Sequence, residues 1–223
     1  MSSRWCFVNL LLVLFLSCSP GAESGLADAA DVMTRDEALT ALQSPDSALR
    51  LDGVDGLAQF GQPADAAPLL EALYDADPEV RIHAQSAVWQ VWSRSGNPEV
   101  DALLKSGIRD MEEGRMGQAV EAFTRITERQ PDFAEGWNKR ATAYYMIGDY
   151  EQSLKDCDEV IKRNPQHFGA LSGYGLIYVR RGELERALEY FQRALEINPN
   201  LESVEQTIEL IRYKLGKDGK QDT

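Results

Sequence analysis

WNKRATAYYMIGDYEQSLKDCDEVIKRNP, residues 137–165, is answered 34 residues later by LSGYGLIYVRRGELERALEYFQRALEINP, residues 171–199. Pro131, Pro165 and Pro199 keep the same step, as do Gly114, Gly148 and Gly182. Small residues recur as Gly107, Ala141 and Gly175 and again as Ala119, Ser153 and Ala187, while a bulkier column runs Phe123, Cys157 and Phe191. A pair of short helices cannot bury its apolar face alone, so a repeat of this length implies helical hairpins stacked on one another. The spacing predicts three of them, at 100–133, 134–167 and 168–201.

Within a hairpin the small residues let two helices approach and the large ones fill the space between them. Trp137, Ala141, Tyr144, Gly148, Ser153, Cys157, Val160 and Pro165 carry the pattern, and Leu171, Gly175, Tyr178, Gly182, Ala187, Phe191, Ala194 and Pro199 repeat it. This spacing resembles the tetratricopeptide repeat. The first hairpin has Asp110 where the others have Tyr144 and Tyr178, so its packing is expected to differ there. Beyond Pro199, Val204, Ile208, Ile211 and Leu215 recur at helical spacing, which predicts a capping helix over 202–216 and leaves 217–223 as a disordered tail.

The resemblance implies that the first helix of each hairpin lines a concave groove. Its lining here would be Leu104 and Ile108, then Asn138, Lys139, Thr142 and Tyr145, then Ser172, Leu176, Val179 and Arg180. A mainly apolar groove of this kind suits a peptide segment or an amphipathic helix; neighbouring helices already covering the strip is the other reading. Relatives that clamp chaperone tails need Lys and Asn where this chain has Leu104 and Ile108, and basic residues where it has Gly169 and Gly173. That partner class is therefore not expected.

Upstream, over 34–98, the chain repeats at 31 residues: Asp46 to Arg50 aligns with Asp77 to Arg81, and Leu39, Leu42 and Leu57 align with Leu70, Leu73 and Val88. Each unit reads as two helices, with an Asp capping the second. The phrase Asp-Pro-Glu-Val-Arg before an Ala-rich helix resembles short HEAT-like repeats. Arg50 and Arg81 are expected to bond within the stack, and Trp89 and Trp92 to seal this unit against the next helix.

At the start, Met1 to Arg4 is a short basic head and Phe7 to Leu16 an apolar run, which together read as a signal peptide over 1–17. Ten helical residues rise about 15 Å, too little to span a bilayer. The run ends in Ser17-Cys18, which partly resembles a bacterial lipobox. Either Cys18 receives a lipid and 18–33 is a tether, or cleavage near Ala22 removes it and the protein is soluble and secreted. The expected location is the periplasm or cell envelope.

A net charge of −13 argues against nucleic acid, whose phosphates need clustered cations. His83 and His167 lie in different repeat systems with no nucleophile motif beside either, and His167 is expected to be solvated in a turn. Cys157 occupies a packing column and reads as an inert thiol. No catalytic residue, cofactor or metal is assigned. The sequence thus predicts an all-α, right-handed helical-hairpin solenoid, a HEAT-like plus TPR superhelix. Its function is expected to be that of a non-enzymatic scaffold binding a protein or peptide segment. The alternative is an accessory subunit or small-ligand carrier acting at the HEAT/TPR junction, near Trp89, Trp92, Asp110 and Glu112. Self-association remains open.

Overall fold

Asp46 and Asp77 accept hydrogen bonds from the amides of Ala48 and Glu79, at 3.0 and 2.9 Å. A cap of this type satisfies one otherwise free amide and stabilises a helix by about 1 kcal/mol. These two open α2 (Ser47–Phe60) and α4 (Pro78–Trp92), which follow the shorter α1 (Arg35–Ala41) and α3 (Ala66–Ala72). This computed structural model describes residues 33–221; the expected signal segment, tether and Cys18 lie outside the described residues. The 31-residue step is visible in bonding as well as in sequence. Arg50 Nη1 donates to the carbonyls of Ser44 and Pro45, and Arg81 Nη1 to those of Asp75 and Ala76, so each arginine ties down the loop before its own helix. Arg50 also grips Asp75 through two bonds of 2.7 Å, which hold that carboxyl below its ordinary pKa.

Three hairpins follow: α5 (Pro98–Glu112) with α6 (Met116–Arg129), α7 (Ala134–Ile147) with α8 (Tyr150–Arg163), and α9 (Phe168–Arg181) with α10 (Leu184–Ile197). Their corners are built alike. Gly114, Gly148 and Gly182 have φ of 74°, 84° and 77°, a left-handed conformation that costs glycine nothing. The following amide returns to a carbonyl five residues back: Arg115 to Asp110, Asp149 to Tyr144 and Glu183 to Tyr178. Where the side chains differ, the corner still closes: Asp110, in place of tyrosine, pairs with Arg115 Nη2 at 2.6 Å.

Close approach within each hairpin depends on a size match between two columns. A Cβ on Gly107 would stand 2.4 Å from Phe123 Cε1, and one on Gly175 would stand 2.5 Å from the Phe191 ring. The middle hairpin has Ala141 facing the smaller Cys157, and both are buried. Between hairpins a second pair of columns sets the register. Arg140 bonds both oxygens of Asp156 at 2.8 Å and reaches back to Thr124 and Thr127 of the first hairpin. One repeat later the same places hold Tyr174 and Tyr190, stacked 4.4 Å apart, with the Tyr174 hydroxyl donating back to Asp158.

Helices α1 to α4 meet the hairpins along one edge. The turns that join successive hairpins all lie on that edge, and one stripe of α4 and its neighbours crosses them in order. At the third turn Arg81 and Gln85 bond Asn200 and Asn198, Asn200 also donates to the Leu73 carbonyl, and Tyr74 donates to the Glu196 carbonyl. At the second turn Trp89 and Trp92 pack on His167 and Phe168. At the first, Gln130 donates to the Ser95 carbonyl at 2.8 Å. Residues 81, 85, 89 and 92 share one helical face, and fifteen residues rise about 22 Å, enough to cross three hairpins packed about 10 Å apart. The tryptophans therefore seal α4 against the start of α9 rather than against the next helix in the chain.

The last helix, α11 (Glu202–Gln221), runs past 216, the end expected from its apolar spacing. It buries Val204, Ile208 and Ile211 in one core with Tyr178, Leu184 and Phe191. Among the described residues every regular element is helical, which agrees with the solenoid expected from the sequence.

Candidate functional site: the concave groove

Helix α7 touches both α5 and α9, so the first helices of the hairpins lie on the inside of the curve. The ten groove positions named from sequence sit on these helices, and they divide into a closed half and an open half. Leu104 is 3% exposed and belongs to the core of the first hairpin with Val100 and Phe123. Asn138 is 7% exposed and donates to Glu135 Oε2. Neither faces a partner. Thr142 and Ser172 turn their hydroxyls onto carbonyls four residues back, those of Asn138 and Phe168.

The closed half is filled from within the molecule. The Trp89 ring lies against Gly169, where a Cβ would stand 2.3 Å from Cη2, and Lys139 Nζ lies 5.6 Å from the centre of the same ring. Behind it Glu135 and His167 are buried together. His167 Nδ1 accepts the Ala170 amide as the cap of α9, so its Nε2, 3.1 Å from Glu135 Oε2, carries the proton and donates it. Glu135 Oε1 faces Lys139 Nζ at 3.0 Å, an ion contact rather than an aligned hydrogen bond. Burial pushes this carboxyl up, but the Lys139 charge and the His167 bond prevail and hold it at about 2. His167 stacks on Trp92 at 4.5 Å and is fully buried, which corrects the expectation that it would be solvated. The sequence carried no local sign of this, because the covering rings arrive from residues 75 to 78 positions upstream.

In the open half Ile108, Tyr145, Leu176 and Val179 are half-buried and Arg180 is exposed. Arg180 Nε donates to the Tyr145 hydroxyl at 3.1 Å, a bond that raises the guanidinium pKa. Met146, 46% exposed beside Tyr145, extends this strip. It follows Tyr145 as Arg180 follows Val179, so the 34-residue step could have found it.

The proposed ligand site at the junction is not assembled. Trp89 and Trp92 are engaged at the second turn, whereas Asp110 is paired with Arg115 at the far end of α5. Cys157 is buried, and burial pushes its thiol up to about 12. Among the described residues no group of three His, Cys, Asp or Glu side chains is placed to hold a metal ion, and no helix is long and apolar enough to cross a membrane.

Stacked two-helix units with turns on one edge define an α-solenoid. The tetratricopeptide repeat family model matches residues 104–159 and 139–202, so these hairpins are tetratricopeptide repeats. A TPR repeat-containing protein of Rhizobium etli is 29% identical over 141 residues, covering 63% of this chain and 69% of its own. Photosystem I assembly protein Ycf3 of Parasynechococcus marenigrum is 37% identical over 99 residues, 38% of this chain and 57% of that one. Among solved structures, the Sgt2 TPR domain from Aspergillus fumigatus superposes with a TM-score of 0.53 at 21% identity, over 56% of this chain and 83% of that domain.

Proposed function

We propose that this chain is a non-enzymatic interaction scaffold that docks a segment of a partner protein in the open half of its concave groove. The observation that carries the proposal is the half-exposed apolar strip of Tyr145, Leu176 and Val179, held on helices whose backbones are already fixed by packing. A preformed strip spends little ordering free energy on binding, and apolar rows on a helical scaffold match the anchors of an extended or amphipathic segment. The repeats upstream, read as HEAT-like, act in this proposal as the brace that fixes the curvature of the groove. In this proposal the scaffold sits in a bacterial cell envelope, tethered through a lipid on Cys18, a reading supported by the basic head, the apolar run and Ser17-Cys18 of the sequence. Two experiments test these parts separately. Leu176→Glu should abolish capture of the partner from envelope extract while helical content stays unchanged; undiminished capture would refute the groove. Cys18→Ser should move the protein from the membrane fraction to the soluble one, and an unchanged distribution would rule out the lipid anchor.

A further inference from the structure

The end of α10 departs from its predecessors where the brace meets it. Helix α6 closes on Arg129 and α8 on Lys162 and Arg163, cations that suit the negative end of a helix dipole, whereas the last turn of α10 holds none. Glu196 and Ile197 stand where the second hairpin has Lys162 and Arg163. The next basic residue back along α10, Arg193, lies over the Tyr190 ring, and Arg81 of the brace bonds to Asn200 and to the carbonyls of its own loop. What α3 adds at this helix end is a further carboxylate, Glu71.

The surface here is hollow. A depression of about 270 Å³ has Leu70, Glu71 and Tyr74 of the brace on one side and Gln166, Glu196 and Ile197 of the hairpins on the other. A second, of about 390 Å³, runs between α10 and α11, with Leu195 and Ile208 as apolar lining and Glu196, Glu205 and Glu209 beside them. Glu196 borders both, so they join in one trough. It follows α10, a second helix, and so lies on the outer side of the curve, away from the groove. Tyr74 is 57% exposed, yet its hydroxyl is bonded to the Glu196 carbonyl, which fixes a ring face toward solvent. One 31-residue step earlier the places of Glu71 and Tyr74 hold Thr40 and Gln43, so the charge and the ring belong to the unit that meets α10. Among the described residues Glu71, Glu196, Glu205 and Glu209 form no ion pair, and Arg212 is the one cation that lines the trough.

We infer that this trough is a second docking surface, and that it takes a basic, amphipathic segment of a partner protein. Its lysines or arginines meet Glu71 and Glu196 at the end of α10, the cations that this helix lacks. Its apolar side chains cover Leu195, Ile197 and the Tyr74 face, which also attracts a cation. The apolar lining decides between occupants, since a small amine would leave it uncovered. A second copy of the chain is disfavoured by like charge, each copy carrying −13. The inference does not depend on the groove.

The test uses the mature chain and a labelled 12-residue peptide with leucine and phenylalanine anchors and lysine at the remaining positions. An acidic chain attracts any cationic peptide, so the comparison between sites carries the result. Glu71→Gln with Glu196→Gln should weaken binding about tenfold or more. Glu121→Gln with Glu185→Gln removes the same charge from exposed places outside the trough and should change binding by less than about twofold. Replacing the peptide's anchors by serine should weaken it about tenfold. Leu176→Glu, in the groove, should leave binding unchanged. Equal losses in the two double variants, undiminished binding of the serine peptide, or no binding at all would overturn the inference. So would loss of binding in Leu176→Glu, which would put the peptide in the groove, or spermidine competing as tightly as the peptide, which would mark a site for small amines.

Discussion

The edge of the Trp89 ring occupies the place where a side chain at Gly169 would begin, 2.3 Å from an ideal Cβ. Two helices that lie far apart in the chain therefore touch through one bare backbone position. Gly169→Val should destabilise the fold by about 1–3 kcal/mol through overpacking, and Trp89→Ala by about 3–5 kcal/mol through lost burial. The double variant should cost less than the sum of the two, because the valine then partly fills the vacated space. A urea-melt mutant cycle measures the coupling, and strict additivity would show that the contact is not made.

Arg140 with Asp156 and Tyr174 with Tyr190 are two solutions for the same pair of columns. Arg140→Met leaves Asp156 buried without its partner and should cost about 3–5 kcal/mol. Replacing both residues of the middle hairpin by tyrosine should be much milder, within about 2 kcal/mol, since the third hairpin already shows that the space accepts two stacked rings. Denaturant midpoints of the three proteins check the order.

The Gly–Phe and Ala–Cys matches make a parallel prediction in the hairpin cores. Cys157→Phe alone should clash with Ala141 and destabilise by about 1–3 kcal/mol, whereas Ala141→Gly with Cys157→Phe should recover most of that loss by copying the neighbouring hairpins. In the native protein the Cys157 thiol, pushed up to about 12 and buried, should alkylate about a thousandfold more slowly than an exposed cysteine. Mass spectrometry of the peptide holding Cys157, with and without urea, reads this directly.

Glu135 ties stability to acidity. Its carboxyl is held at about 2, below its ordinary value of 4.5, so the folded state prefers the ionised form. The contribution is complete above pH 4.5 and is lost as the pH falls toward 2. Glu135→Gln should therefore be less stable at pH 7, on the order of a few kcal/mol, and the gap to the parent protein should close on acidification through that window. Urea midpoints at pH 7 and pH 3 test the sign; a gap that widens at pH 3 would refute it.

The hairpins were legible in the sequence because each makes its contacts with near neighbours, so column chemistry repeats at the repeat length. Gly148 and Gly182 announced their corners, and Asp46 and Asp77 their helix starts, by local rules alone. The crossing of α4 over the turns was not legible. Its pairs, Gln85 with Asn198 and Trp92 with His167, join residues 113 and 75 positions apart and follow no period. Gly169 could be read from sequence only as a missing cation, when its smallness makes room for a ring. Likewise Leu104 and Asn138 have the right positions for a groove, but one is drawn into the core of its hairpin and the other bonds to a buried carboxylate. Glu151 has Lys155 one turn on, the partner that helical spacing alone would suggest, and bonds instead to Arg181 of the next hairpin.

Ordinary solenoids gain and lose units freely, since each unit meets only the ones beside it. Here the brace meets three turns at once: α4 reaches the third near residues 81–85 and the second near 89–92, and Ser95, just past the end of α4, reaches the first. An inserted fourth hairpin would leave a turn uncovered, and a deleted one would strand a third of the contacts, unless α4 changed by about seven residues in the same event. The helix thus behaves as a tally of repeats, and lineages carrying it should vary in hairpin number only in step with its length.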